Sequence, residues 1–274
     1  FDVNVLDAER QRITRLLQNK GYYKFNKDFL VYQADTTRNT YLVDLTLKLL
    51  PYQRKKEDPP QKHRQYLVNS VNFIADSEMT PIRKGSFTGF DSLSYKGYNM
   101  YYKDKMFLRP KLLVDFNRIR PGEFYSERDV QNTYSALGRL RMLKYSNIRF
   151  KEVNVSDSTK LDAYIVMSKG QNKSVSFEIE GTNSAGDLGA AASISFQHRN
   201  VFKGSETFTM KVRGAYEAIT GLGQDYVNDN YTEYGVESSL NFPEFMFPFL
   251  SSDFKRKIKA TSEVGLKFTS QVRP

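Results

Sequence analysis

Apolar and polar residues alternate along five stretches in the C-terminal part of the chain. The stretches are SVSFEIEG at 174–181, AASISFQ at 191–197, TFTMKVRG at 207–214, YGVESSLNF at 234–242 and EVGLKFTSQV at 263–272. Because successive side chains of a strand point to opposite faces, this period of two predicts β-strands with one apolar and one polar face. Strands of about ten residues can cross a bilayer when tilted. A soluble antiparallel sheet with one solvated face shows the same alternation, so the pattern leaves both structures open.

An aromatic segment and the lengths of the connections favour the membrane. The segment FPEFMFPFL at 242–250 concentrates phenylalanine around two prolines. On a soluble protein such a patch is an aggregation liability or a binding site, whereas at a membrane interface it is an aromatic girdle. The connections alternate between short ones, at 183–187 and 198–205, and a long polar one at 217–230.

The first 63 residues predict a small α/β unit and a linker. A helix is expected over 7–20, with Asp7 as its N-cap and Gly21 as its C-terminal stop. Two strands follow, at 29–34 and 41–49, so the unit covers residues 1–50. Residues 51–63 are charged, contain three prolines and lack periodicity, which is typical of an interdomain linker.

Residues 64–169 predict a second α/β unit of the order strand–helix–helix–strand–strand. Its elements are a strand at 66–75, a long loop or hairpin insertion at 76–106, a helix at 109–119, a helix beginning at the N-cap Ser126, and strands at 145–153 and 161–168. The first unit repeats the last three of these elements, so it reads as a partial copy of the same module. A three-stranded sheet has exposed edges, and we expect residues 145–152, especially Ile148 and Phe150, to offer one to another strand.

Composition and charge exclude several classes of site. The 274-residue chain has no cysteine and two histidines that match no metal-ligand spacing, so we expect no disulfide, no metal and no cofactor. It lacks a Gly-rich phosphate loop and a nucleophile elbow, and we expect no catalytic residues and no enzymatic activity. The net charge of +10 comes from basic clusters that flank helices and turns without a nucleic-acid motif, so nucleic acid is not an expected partner. The chain shows no signal peptide and opens on Phe1, which suggests a processed chain or a fragment.

Three segments carry a resemblance to a known family. RNVFKGSE at 199–206 resembles the first periplasmic turn of Omp85-type surface-antigen barrels, although Lys203 stands where that family often has glycine. Residues 241–250, followed by residues 255–274, are similar to the second periplasmic turn and the strand after it. Residues 108–150 resemble a POTRA domain. The residues that match these motifs are Arg199, Asn200, Phe202, Gly204 and Glu206 in the turn, and Pro121, Gly122, Tyr125 and Ser126 before the second POTRA helix.

The resemblance covers the whole chain and implies an α+β region followed by an all-β one. Residues 1–50 and 64–169 become POTRA-like α/β modules, the first truncated, and residues 170–274 become about five antiparallel strands of an incomplete transmembrane β-barrel. Bacterial barrels need at least about eight strands, so these strands alone cannot close one. Among subfamilies, the chain is most similar to the TamA-like translocation and assembly proteins, with the BamA-like insertases next.

The resemblance implies a bacterial outer-membrane protein with its POTRA modules in the periplasm. The implied function is outer-membrane protein assembly, with unfolded outer-membrane proteins as clients, outer-membrane lipid around the barrel, and a possible periplasmic or inner-membrane partner protein. A transporter of the same architecture that secretes a polypeptide or moves lipid is an alternative. A soluble periplasmic binding module is another.

Two sets of strand residues are the candidate functional positions. The first barrel strand would form a seam that opens for client strands, with the residues Ser174, Val175, Ser176, Phe177, Glu178, Ile179, Glu180 and Gly181. The apolar face would contact lipid through Val175, Phe177, Ile179, Ile194, Phe196, Phe208, Met210, Val212, Leu266 and Phe268. The polar face would line the barrel interior, and the basic turn at 198–205 would face the periplasm.

Overall fold

The computed structural model describes a mixed α/β region followed by an antiparallel five-stranded sheet. The described residues are 2–37, 43–53, 59–75, 87–153, 159–184, 187–219, 230–247, 249, 254, 258 and 260–272. Residues 54–58 of the predicted linker and residues 76–86 of the predicted insertion lie outside the described residues.

The N-terminal unit consists of a helix and a two-stranded sheet. Helix α1 (Val3–Gln18) is followed by a 3₁₀ turn (Lys27–Phe29), β1 (Leu30–Asp35) and β2 (Asp44–Leu49), which pair antiparallel. The prediction that Asp7 caps α1 is wrong. Asp2 is the N-cap, and its side chain accepts a hydrogen bond from the Asn4 amide at 2.8 Å. The Asp7 carboxylate instead accepts from Gln11 and Lys27.

The second unit is built on a five-stranded mixed sheet rather than on the three strands predicted. Its strands are β3 (Leu67–Ala75), β4 (Asp91–Tyr95), β5 (Tyr98–Tyr102), β6 (Leu143–Glu152) and β7 (Lys160–Lys169), in the order β4-β5-β3-β7-β6. The predicted insertion supplies the β4–β5 hairpin, and β5 pairs parallel with β3. The hairpin therefore covers the edge of β3 that a three-stranded sheet would leave open.

Two helices cover this sheet and close its core. Helix α2 (Pro110–Phe116) is shorter than predicted, because Asn117 is extended and its side chain binds both the amide and the carbonyl of Ile119. Helix α3 (Glu127–Leu137) begins at the predicted N-cap Ser126, whose hydroxyl accepts from the Asp129 amide. Fully buried side chains from the sheet and the helices meet here, including Phe73, Met100, Leu113, Leu137, Leu161 and Ile165.

The two α/β units are packed against each other through aromatic side chains. The Tyr23 ring lies 4.9 Å from the Tyr125 ring and 5.7 Å from the Phe150 ring, measured between centroids. Backbone and ionic contacts reinforce the packing, since the Tyr66 amide donates to the Gly21 carbonyl and Lys24 pairs with Glu152 at 2.8 Å. Gly21 has φ of +100°, which side chains with a Cβ rarely adopt.

The C-terminal sheet is a meander in which each strand pairs with the next one along the chain. Its strands are β8 (Lys173–Ser184), β9 (Asp187–Arg199), β10 (Thr207–Ala218), β11 (Asn230–Phe242) and β12 (Ser262–Val272). The structure confirms the five predicted strands and lengthens several of them. The sheet is not closed into a barrel in the described residues, because β8 and β12 are its two edges.

Candidate membrane-facing sheet and its junction

The apolar residues of the five strands lie in register on one face of the sheet. One row crosses all five strands through the pairs Phe177–Ile194, Ile194–Val212, Val212–Val236 and Val236–Phe268. The neighbouring row runs through Val175, Phe196, Met210, Ser238 and Leu266. The alternation within each strand and the antiparallel register between strands together produce this face, because apolar positions of neighbouring strands lie opposite each other.

This face is largely uncovered by the described residues. The exposed fraction of the residue is 78 % for Leu266, 74 % for Ile179 and 66 % for Phe177. Of the residues predicted to face lipid, Phe208 is the half-buried exception. In water, an apolar face of this breadth marks a surface that another phase or another molecule covers.

The opposite face carries hydrogen bonds and ion pairs that cross the strands. Glu178 of β8 pairs with Lys211 of β10 at 3.1 Å, and Glu180 pairs with Arg213 at 3.1 Å, so both pairs reach over β9. The hydroxyls of Ser176 and Ser195 are 2.7 Å apart. These partners are substantially exposed, and such pairs each contribute about 0–1 kcal/mol. Their effect is to define a polar surface rather than to hold the sheet together.

Strand β8 contains all the predicted seam residues, Ser174 to Gly181, and lies at one edge of the sheet. Within the described part of the chain it pairs with β9 alone. Its other edge therefore presents backbone donors and acceptors that no described strand occupies, and β12 does the same at the far side. Unpaired edges of this kind can add another strand.

The turn between β9 and β10, Arg199–Thr207, is folded tightly around a buried carboxylate. The side chain of Glu206 accepts hydrogen bonds from the amides of Gly204 at 2.9 Å and Phe202 at 3.1 Å. Glu206 is 1 % exposed. Three residues without glycine's freedom have positive φ, namely Asn200, Lys203 and Ser205. A Cβ at Gly204 would lie 2.2 Å from a Glu206 oxygen, so a larger residue there would displace the Glu206 carboxylate.

This turn docks on the second α/β unit, so the predicted periplasmic motif also forms a joint. The Asn200 side chain donates to the Phe107 carbonyl at 2.7 Å, and the Arg109 amide donates to the Lys203 carbonyl at 2.7 Å. The Met142 amide donates to the Ser205 hydroxyl at 3.0 Å. The Arg109 guanidinium forms an ion pair with Glu206. The sheet is thereby tied to the segment that precedes α2.

The predicted turn residues of the second unit have structural roles. Gly122 has φ of +84°, and its amide donates to the Val68 carbonyl at 2.7 Å, which fixes the turn that Pro121 opens. The hydroxyl of Tyr125 binds Glu127, and burial followed by this hydrogen bond raises the pKa of Tyr125. Ser126 caps α3.

The predicted docking edge, β6, is partly occupied by a side chain of the same unit. β6 is an edge strand of the five-stranded sheet. However, the Ile148 amide donates to the Tyr134 hydroxyl at 2.7 Å, and that hydroxyl also lies 3.3 Å from the Ile148 carbonyl. Phe150 packs against Tyr23 and Tyr125 at the joint between the units. A strand added at this edge must displace Tyr134.

Sequence reasoning missed Arg109, Tyr134 and Tyr23. Each acts through a partner that is distant in sequence, namely Glu206, Ile148 and Phe150. Pro110 is a favourable first residue for α2, but no local pattern indicates a role for the preceding arginine. Tyr134 lies on α3 and is partly buried, and no local pattern links its hydroxyl to Ile148.

None of the helices in the described ranges has the length and apolar character needed to span a membrane.

Comparisons with known proteins gave matches among solved structures alone. No protein-family model matches the chain, and no curated protein matches it. The chain is similar to BamA from Haemophilus ducreyi lacking POTRA domains 1–3, with a TM-score of 0.47, 13 % identity and coverage of 99 % of this chain and 45 % of that one. It is similar to CdiB from Acinetobacter baumannii, with a TM-score of 0.34, 9 % identity and coverage of 99 % and 64 %. It is also similar to Haemophilus influenzae BamA POTRA3-5, with a TM-score of 0.22, 12 % identity and coverage of 60 % and 80 %. The chain thus spans less than two thirds of the length of the first two structures.

Proposed function

We propose that the chain is part of an Omp85-superfamily protein that assembles or inserts outer-membrane proteins. In this proposal the two α/β units are POTRA modules in the periplasm and β8–β12 are membrane-spanning strands of a β-barrel. Unfolded outer-membrane proteins are the clients, and the chain performs no enzymatic step. The observation that carries the proposal is the in-register apolar face, which the described residues leave exposed.

The length of the strands supports this location. β8 to β12 have 11 to 13 residues each, and strands of about 9–11 tilted residues already cross the hydrocarbon core. A soluble antiparallel sheet buries its apolar face against a second layer. Here the apolar rows remain open while the polar rows carry the ion pairs, which is the arrangement of strands with lipid outside and water inside.

The open edges support a role in assembly. The five described strands cannot close a barrel. In the barrel that we propose, β8 pairs with a further strand of the same protein or of a client. We propose that β8 is the seam at which client strands enter, and that the TamA-like subfamily is the assignment, with the BamA-like insertases next. A polypeptide-secreting or lipid-moving transporter of the same architecture is the alternative function.

The membrane location is tested with neighbouring residues of β10 that lie on opposite faces. The chain has no native cysteine, so Met210→Cys and Lys211→Cys each give a single attachment site for a spin label. After reconstitution in phospholipid vesicles, the label at Met210 should relax faster with oxygen, which concentrates in lipid. The label at Lys211 should respond more to a water-soluble nickel complex. Equal responses of the two labels would contradict the proposal.

The seam is tested by locking it. A cysteine at Ser176 and another on the strand that closes the barrel in the full-length protein would form a disulfide across the seam. Client assembly should stop when the disulfide forms and return when it is reduced. Unchanged assembly with the lock complete would show that clients do not enter there.

A further inference from the structure

A cavity of about 670 Å³ lies where the sheet meets the second α/β unit. Its walls come from α2, from the turn Arg199–Thr207 and from the segment that follows β11. The volume is within the usual range for small-ligand sites, about 300–1,000 Å³. No step of the proposed assembly function uses this cavity.

The lining of the cavity includes a cation that pairs with no carboxylate of the described residues. The guanidinium of Arg139 lies 5.2 Å from the centre of the Phe116 ring, and within the described part of the chain it forms no ion pair. Burial lowers the pKa of Arg139 from its ordinary value. A half-buried guanidinium has lost part of its hydration, so an anion bound beside it would restore favourable interactions.

The lining of the cavity also includes a half-buried carboxylate. Glu244 lines the cavity, is half-buried and has no hydrogen bond or ion pair with any described residue. Burial raises the pKa of this carboxyl, the nearby charge of Asp115 raises it further, and Lys111 opposes the shift. A cation placed in the cavity would favour its ionised form. Among the described residues, the cavity lining thus includes one half-buried group of each sign that forms no ion pair.

The position of the cavity relative to the sheet indicates the class of molecule that reaches it. It opens at the end of the sheet where β10 begins, where β11 ends and where β12 begins. Aromatic and sulfur-containing side chains are exposed at this end, at Phe202, Met246, Phe247 and Phe249. Aromatic belts mark the level of the lipid headgroups in membrane proteins.

We propose that this cavity binds the phosphoethanolamine headgroup of a phospholipid. The phosphate contacts Arg139, while the ammonium group contacts Glu244. The acyl chains leave past Phe245 and Met246 towards the apolar face of the sheet. This inference rests on the proposed membrane location of β8–β12, and it adds a lipid that holds the sheet and the periplasmic unit together at their joint.

Native mass spectrometry of the full chain in nonionic detergent measures the binding directly. Equimolar phosphatidylethanolamine, phosphatidylglycerol and phosphatidylcholine are added to one sample, so the ratio of the adducts is independent of the fraction of folded protein. We expect a single phosphatidylethanolamine adduct to exceed the phosphatidylcholine adduct by about tenfold, because the ammonium donates charge-assisted hydrogen bonds and choline has no N–H to donate.

Substitutions identify the cavity as the site. Arg139→Gln should lower the phosphatidylethanolamine adduct about tenfold, and Arg139→Lys should restore part of it, since a single charge-assisted bond has about this value. Arg141→Gln is the matched control, because it removes the same charge from an exposed residue two positions away that does not line the cavity. Glu244→Gln should abolish the preference over phosphatidylglycerol.

The results that overturn the inference are distinct from those that overturn the proposed function. Equal losses in Arg139→Gln and Arg141→Gln would show general attraction to a basic chain, and a preference for phosphatidylcholine would indicate an aromatic site for choline; either overturns the headgroup assignment. If the label at Met210 fails to enter lipid while the phosphatidylethanolamine adduct persists, the membrane location is wrong and the headgroup site stands.

Discussion

Replacing Glu206 by alanine tests whether the turn Arg199–Thr207 is held by its buried carboxylate. The substitution removes the acceptor for the amides of Phe202 and Gly204 and the partner of Arg109. The Arg109 side chain is 56 % exposed, so it regains water and adds little to the cost. The Gly204 amide is buried, and the Phe202 amide is partly buried. Hydrogen bonds to a charged group contribute roughly 1.5–3 kcal/mol each, so the turn should lose about 3 kcal/mol.

Hydrogen–deuterium exchange resolves this loss locally. About 3 kcal/mol corresponds to an exchange rate roughly a hundred times faster for the amides of the turn. Glu206→Gln keeps an oxygen acceptor and should produce a smaller acceleration. Glu123→Ala is the control, because Glu123 and Arg120 form an exposed pair, which contributes about 0–1 kcal/mol.

Two results would refute the reasoning. One is an acceleration in Glu206→Ala no larger than that in Glu123→Ala. The other is an equal acceleration in the central strands β3 and β7, which would show that the substitution unfolds the whole unit rather than releasing the turn from the Phe107–Arg109 segment.

Three further predictions concern the membrane face, the β6 edge and a turn. Val212→Lys should destabilise the sheet in vesicles by roughly 2–4 kcal/mol in urea titrations, because it places a charge in the middle of the apolar rows, whereas Lys211→Gln should cost under about 1 kcal/mol. Tyr134→Phe frees the Ile148 amide and should raise the affinity of β6 for an added strand in fluorescence titrations with a client peptide; an unchanged affinity would show that β6 is not the docking edge. Gly122→Ala should lower stability by about 1–2 kcal/mol in thermal unfolding through its positive φ alone, since nothing lies within 4 Å of the added Cβ, and a much larger loss would point to a contact instead.

The sequence allowed good prediction wherever a pattern is local. The period of two in residues such as Phe177, Ile179 and Val212 predicted the strands and which residues share a face, and the structure confirms both. Ser126 predicted the start of α3 because capping acts within one turn of helix. That the apolar face contacts lipid stays a prediction.

Contacts between distant segments could not be predicted. The parallel pairing of β5 with β3 joins segments separated by residues 76–97, and no local pattern in β5 identifies its partner strand. The docking of Glu206 on Arg109 depends on where the whole unit lies relative to the sheet. The wrong N-cap at Asp7 has a simpler cause, because both Asp2 and Asp7 are acidic residues that can cap a helix. With Asp2 as the cap, the helix includes one more turn, and the Leu6 amide donates to the Asp2 carbonyl.

The order of strand pairing in the two sheets implies different times of formation as the chain is synthesised. In the second α/β unit the central strand β3 pairs with β7. Leu67 therefore cannot pair with Lys160 until both intervening helices and β7 have been synthesised. Each strand of the C-terminal meander instead pairs with the one just before it. Closing a short loop costs less entropy than closing a long one, so hairpins form early and non-local sheets late. The meander can therefore form by adding one strand at a time after the second α/β unit has folded. The contact between Arg109 and Glu206 fixes the β9–β10 turn on that unit while the later strands are added.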